Sequence, residues 1–403
     1  CSGIACQGRR KGLSMIEVTA SAEHFLGMPV AQFLRDYWQK QPLLIRQAFP
    51  GFTPPLTPED LAGLACEQGP LSRIVTYDRI RDDWQLRTGP FNEDDFPELG
   101  HRDWTLLVQD MDKWDADVAE LLHAFSFLPR WRIDDVMISF AVEGGSVGPH
   151  IDQYDVFLVQ AMGVRQWQIE TETRLEPAFR PDTDLKLLQE FDPNQAWDLR
   201  PGDVLYLPPG FAHHGTARDH CMTFSVGMRA PSSAEMLVDF AEDLAQKLPE
   251  YVRYADPDLQ PAGDPYEIDS AAFHRVQDAL AFYQMASESD RNRWFGQFIT
   301  RYRASGDIQA GPHHPAWVEA LHALADGQTL YRHPFARLAW SRDGQKALLH
   351  VSGESYPMDA SDASAICRQK QMVSRDFHAL GKQAQDALAE LYGQGFYQLG
   401  VED

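Results

Sequence analysis

The sequence predicts an α+β protein: a small β-barrel, then amphipathic helices, then a helix–hairpin–helix tail. Three observations carry that expectation. Short apolar or alternating runs punctuated by Gly and Pro turns precede residue 231, the rhythm of strands. Two of these runs carry metal-ligand residue types, His150-Ile151-Asp152 and the turn Pro208-Pro209-Gly210 leading to His213-His214. Beyond Ser232 the apolar period changes from that of a strand to that of a helix.

Taken in order, residues 1–14 have no period and no apolar core of a signal peptide; Met15 reads as the more natural start, and disorder is expected before it. Val30, Phe33, Leu34, Tyr37 and Trp38 share one helical face behind Pro29, and Pro42 ends that helix before the strand Leu43-Leu44-Ile45. Thr57-Pro58-Glu59-Asp60 is a capped helix start. Strands are expected at 72–77, 84–88 and 104–109, a helix at 118–127, and a strand at 134–142 before the Gly144-Gly145 turn. The run Val156-Phe157-Leu158-Val159 reads as a buried strand, and 164–169, after Gly163, as its hairpin partner. Arg200-Pro201-Gly202-Asp203 makes a turn into the strand 204–207, and Pro208-Pro209-Gly210 a second turn.

Ser232 to Glu235 is a capping box, with Met236, Phe240, Leu244 and Leu248 as one stripe. A Pro- and Asp-rich loop, 255–265, separates this helix from two more at 271–285 and 290–302. The tail reads as a helix at 315–325, strands around the Asp343-Gly344 turn, and two helices ending near Tyr392. The expected divisions are therefore 1–14, 15–230, 231–305 and 306–403.

Bulk properties exclude several classes. No run of about 18 apolar residues is present, so no transmembrane helix is expected. A net charge of −23 argues against nucleic acid as the direct ligand. It suits a basic partner, or serves solubility alone. The 5 Cys include no Cys-x-x-Cys pair, so neither a zinc ribbon nor a disulfide framework is indicated, and a reducing cytoplasm is the simple reading.

The chemistry lies in the two punctuated segments. Residues i and i+2 of a strand share a face, so His150 and Asp152 can reach one ion. One further histidine completes a set of two imidazoles and a carboxylate, which leaves three metal positions open, as in non-haem Fe(II) oxygenases. His213 and His214 are adjacent and point to opposite faces, so one of them serves.

These motifs, with the stretch from Trp131 to Phe140 and the run Gly148-Pro149-His150-Ile151-Asp152-Gln153-Tyr154-Asp155, closely resemble the bacterial ribosomal oxygenases of the JmjC/cupin family. The resemblance runs over most of the chain from about Met15. It implies a double-stranded β-helix (jelly-roll) domain, a helical dimerisation domain at 231–305 and a winged-helix-like C-terminal domain. It also implies a protein hydroxylase acting on an arginine of large-subunit ribosomal protein sixteen, a basic partner, with release of succinate and CO2. Fe(II) would be held by His150, Asp152 and His213, with 2-oxoglutarate and O2 as cosubstrates. Arg165 would grip the far carboxylate of 2-oxoglutarate, bidentately as a lysine cannot, with Thr223 a second contact. Asp135 would pair with the substrate guanidinium, and Met137, Tyr154, Ser225 and Met228 would wall its pocket. Relatives often carry an acidic residue where this chain has His214. The alternatives are the same chemistry on a histidine of another ribosomal protein, a JmjC demethylase, for which no methyl-lysine cage is evident, and a non-catalytic metal-binding cupin in ribosome assembly.

Overall fold

The computed structural model describes residues 16–173, 176–249, 253–257, 259–261, 266, 268–281, 287–301 and 308–400. The extension 1–14, and with it the expectation of disorder there, lies outside the described residues. Two compact units divide the chain, Cys1–Ala230 and Pro231–Asp403. Among the described residues no helix is long and apolar enough to cross a membrane.

Among its described residues the first unit has thirteen strands: β1 (Ile16–Thr19), β2 (Leu43–Arg46), β3 (Ser72–Asp78), β4 (Asp83–Thr88), β5 (Trp104–Val108), β6 (Ile133–Ala141), β7 (His150–Ile151), β8 (Val156–Met162), β9 (Arg165–Ile169), β10 (Gln195–Leu199), β11 (Val204–Leu207), β12 (Ala212–Ala217) and β13 (Cys221–Met228). Nine form one sheet in the order β1-β2-β11-β8-β13-β6-β5-β3-β4, and four form a second in the order β10-β9-β12-β7. Leu44, Val156, Leu158 and Leu205 of the large sheet pack on Trp167, Ile169 and Leu199 of the small one. This is the interior of the jelly roll.

The other face of the large sheet carries the main core. Ile138, Phe157, Val159, Tyr206, Phe224 and Val226 pack there against Phe33, Leu61 and Phe125. Phe33 and Phe157 stand 5.0 and 4.8 Å from the Tyr206 ring, pairs worth about 0.5–1.5 kcal/mol each beyond area burial. Phe33 comes from the helix Val30–Asp36, and Leu61 from Pro58–Cys66, whose Thr57–Asp60 capping box forms as the sequence indicates. The helix expected at 118–127 is instead an α-turn, Ala116–Glu120, capped by Asp115, that tightens into a 3-10 segment, Leu121–Phe125.

A second correction concerns β8 and β9, which are not a hairpin. β8 pairs with β11 and β13, whereas β9 pairs with β10 and β12 in the other sheet. Gly163 makes the corner at φ +61, where a Cβ would lie 2.1 Å from the His220 carbonyl oxygen. The burial patterns follow: β8 is covered on both faces except at its last residue, and β9 alternates.

In the second unit the helix Ser233–Lys247 starts at the Ser232 capping box and is followed by Ser270–Leu280. None of their residues is fully buried, and Leu237, Val238, Phe273 and Leu280 are exposed. The helix Glu288–Thr300 was expected to belong with these two. It does touch the first, through Trp294 to Asp239 at 2.8 Å, but its Gly296 also sits against His350 of the hairpin. The tail holds the helix Trp317–Ala325 and the hairpin Leu338–Asp343 and Lys346–Val351, extended by Glu354–Met358. Three helices follow rather than two, Ala360–Arg368, Ser374–Ala379 and Lys382–Gly393, and the strand Tyr397–Gly400 pairs back onto Thr329–Arg332.

Candidate metal centre and active site

Parity along the large sheet decides what faces the interior. On β13, Met222, Phe224, Val226 and Met228 enter the main core, which turns Thr223, Ser225 and Gly227 inward. On β6, Val136 and Ile138 enter the core and Asp135, Met137 and Ser139 turn inward; on β8, Gln160 does. Met228 is the correction here. It is 2% exposed in the hydrophobic core, on the face opposite Thr223 and Ser225, and does not line the cavity.

His150 and His213 are direct cross-strand partners on β7 and β12, with ring centroids 4.2 Å apart. Asp152 lies just past the end of β7, not within it, and the Asp152 carbonyl accepts a hydrogen bond from the Gly210 N–H at 2.9 Å. That bond ties the carboxylate's loop to the Pro-Pro-Gly turn delivering His213. The turn before β11 is fixed in turn by the buried Asp203, which accepts from Arg46 and from the backbone N–H groups of Gln47 and Arg200. One ligand atom from each of His150, Asp152 and His213 lies within 4.8 Å of the others.

The tautomers follow from the partners. His150 Nδ1 and His213 Nδ1 each sit 2.9 Å from a backbone oxygen, of Gly148 and Phe211 respectively. A carbonyl oxygen only accepts, so each Nδ1 carries a proton and each Nε2 is the ring nitrogen left to meet a metal. These Nε2 atoms lie 4.0 and 3.6 Å from Asp152 Oδ2. Burial, and then the neighbouring His150, push His213 down to about 4, so its ring is neutral at ordinary pH. His150, Asp152 and His213 thus turn one ligand atom each toward one point. Two imidazoles and a carboxyl group are a donor set suited to a divalent transition metal, Fe(II) included.

His214 takes the other direction. Its ring lies 6.0 Å from Phe191, its Nε2 is 3.4 Å from Thr216 Oγ1, and burial lowers it to about 4.

Arg165 opens β9 on the interior face, two inward positions along the strand from Ile169, which pairs with His213. It is 5% exposed. Its Nη1 donates to Ser139 Oγ at 3.1 Å, and its Nε and Nη2 have no hydrogen-bond partner among the described residues. Buried guanidinium donors left over in this way call for an anion. Thr223 is fully buried, donating to Gln160 Oε1 at 3.0 Å, while its carbonyl accepts from Ser139 at 3.4 Å. Sequence reasoning missed Ser139 and Gln160. Their signal was parity: Ser139 shares the inward face of β6 with Asp135 and Met137, and Gln160 interrupts the apolar run of β8.

Asp135 and Tyr154 stand together at the other end. Asp135 Oδ2 accepts from the Asp110 N–H at 3.2 Å, and burial, with the Asp110 and Asp134 charges, raises its carboxyl to about 6 against the pull of Lys113. Burial of the hydroxyl, then the charges of Asp152 and Asp135, raise Tyr154, although the residue as a whole is 40% exposed. Met137 faces Arg73, whose Nη2 is 3.9 Å from its sulfur, and Ser225 is its cross-strand neighbour.

Residues 120–236 match the JmjC domain and residues 283–398 the ROXA-like winged helix. The ribosomal protein uL16 3-hydroxylase of Escherichia coli is 37% identical over 312 residues, 77% of this chain and 82% of that protein. A probable ribosomal oxygenase of Haemophilus influenzae is 37% identical over 229 residues, 56% of this chain and 54% of that protein. The X-ray structure of E. coli ycfD superposes with a TM-score of 0.79 at 33% identity, covering 93% of this chain and 99% of the other. A structure of the same ribosomal oxygenase in complex with cobalt and 2-oxoglutarate superposes with a TM-score of 0.76 at 32% identity, covering 93% and 99%. A jelly roll with a JmjC match, a ROXA-like winged helix and this extent of identity place the chain in the family of JmjC-domain ribosomal oxygenases.

Proposed function

We propose that this protein uses Fe(II), 2-oxoglutarate and O2 to hydroxylate an arginine side chain of ribosomal protein uL16, with succinate and CO2 as coproducts. The observation that carries the cosubstrate is Arg165, buried with two guanidinium nitrogens that have no hydrogen-bond partner among the described residues. His150, Asp152 and His213 would hold Fe(II). The chemistry that Fe(II) supplies with 2-oxoglutarate and O2 is insertion of one oxygen atom into a C–H bond, coupled to decarboxylation of the cosubstrate.

The protein's own part is binding, orientation and exclusion of water. Arg165 takes the far carboxylate through Nε and Nη2, while Ser139 holds its third nitrogen and so fixes the plane of the fork. Trp167, 6.0 Å from the Arg165 guanidinium and 5.8 Å from the His213 ring, fills the wall between cation and metal ligands. Asp135 would pair with the substrate guanidinium, with Tyr154, Met137 and Ser225 as walls. The net charge of −23 favours encounter with a basic ribosomal protein. The exposed apolar residues of the helices Ser233–Lys247 and Ser270–Leu280 are proposed to be covered by a second copy of the chain. A ribosomal substrate puts the place of action in the cytoplasm.

The test is succinate release with matched peptides. A uL16 peptide carrying its arginine should stimulate release, and the same peptide with the arginine replaced should not. Stimulation by a histidine-bearing peptide instead would move the target residue. No release with either, but tight metal binding, would leave a metal-binding cupin.

A further inference from the structure

Gly227 is the inward-facing position of β13 directly opposite Asp135, and on its other side it pairs with Val156. A glycine inside a buried strand has three ordinary explanations: a left-handed backbone, a neighbour too close for a Cβ, or a ligand that crosses the strand. The first does not hold, because Gly227 is not among the residues with positive φ. The register does shift between Gly227 and Met228, but that irregularity sets no glycine-only backbone here. The second fails as well. A Cβ built on Gly227 would lie 3.4 Å from Asp135 Oδ1 and 4.0 Å from Tyr154 Cε2, ordinary contact distances. An alanine would fit, and would suit a strand better.

What such a methyl would fill is the space between a carboxylate oxygen and an aromatic ring. Asp135 Oδ2 is engaged by the Asp110 N–H, and Oδ1 is the oxygen turned toward Gly227. A flat cation suits that space, since its edge can donate to the carboxylate while its face rests on the ring. We infer that Gly227 is a specificity-determining residue: its missing side chain keeps open a slot between Asp135 and Tyr154 through which a planar guanidinium enters. This rests on the arginine reading above and adds which backbone position gauges the width of the pocket.

The test compares wild type with Gly227→Ala by titrating the cobalt-loaded, 2-oxoglutarate-bound protein with the uL16 arginine peptide, and by measuring KM and kcat. The expected result is a peptide affinity about tenfold weaker, the scale of one misplaced methyl in a packed site, with KM rising more than kcat falls. The melting temperature should hold or rise, because alanine restricts the unfolded chain. A second measurement avoids the variant. The same methyl is placed on the ligand, and wild type should bind a peptide bearing ω-monomethylarginine about tenfold more weakly than the unmodified peptide. Equal affinities for both proteins and both peptides would overturn the slot while leaving arginine hydroxylation standing. A wild type that binds and oxidises no arginine peptide would overturn both.

Discussion

The Tyr206 hydroxyl donates a 2.6 Å hydrogen bond to Oδ1 of Asp155, a carboxylate with no solvent exposure. Asp155 Oδ2 accepts from Gln39 at 2.9 Å and Arg132 at 3.2 Å. Asp155 ends the loop that carries Asp152 and Tyr154, and Tyr206 lies on β11, which runs into the turn delivering His213. One buried contact thus joins both ligand-bearing segments from behind. Tyr206→Phe removes one donor from a buried charge and should cost about 1–3 kcal/mol in chemical denaturation. Its cobalt affinity should fall about tenfold, as for other partners that orient metal-ligand segments. A loss of stability without loss of cobalt affinity would make the contact structural only.

Arg165→Lys keeps the charge and loses the fork. We expect the affinity of the cobalt-loaded protein for 2-oxoglutarate to drop by about two orders of magnitude, measured calorimetrically, with cobalt affinity itself little altered. Wild-type cosubstrate affinity in this variant would remove Arg165 from the site.

The peptide dependence should carry the signature of Asp135. Its carboxyl is raised to about 6, and the charged form is the one that pairs with a cation. Peptide kcat/KM should therefore fall as pH drops below about 6, by up to tenfold per pH unit. In Asp135→Asn the value at neutral pH should be low and that step absent.

Acid should also loosen the second unit. His350 is 1% exposed between Ser341 and Ser355, and burial, with Arg293 adding to it, lowers it to about 4. A histidine held neutral in the fold contributes stability that is full above its unfolded value near 6.5 and is lost as pH falls from there toward 4. The slope from this group reaches about 1.4 kcal/mol per pH unit. Melting curves of His350→Gln should show a smaller loss than wild type over that window.

Much of this was legible in the chain because chemistry and punctuation coincide. The spacing of His150 and Asp152, the Pro-Pro-Gly turn and the capping boxes at Thr57 and Ser232 are local signals. The resemblance added Arg165 and the winged-helix tail. What could not be read was non-local. Gly163 marks a corner, but whether the chain folds back or crosses to another sheet is set by pairing partners far along the sequence. Ser139 and Gln160 matter because β6, β8 and β13 are neighbours. Met228 was misplaced against a local rule, since the parity of β13 already separates it from Thr223 and Ser225.

The most direct measurement is mass spectrometry of the uL16 peptide after incubation with the protein, Fe(II), 2-oxoglutarate and O2, beside a His150→Ala control. One added oxygen atom on an arginine is expected, absent with the control. An unmodified peptide and unconsumed 2-oxoglutarate would contradict it.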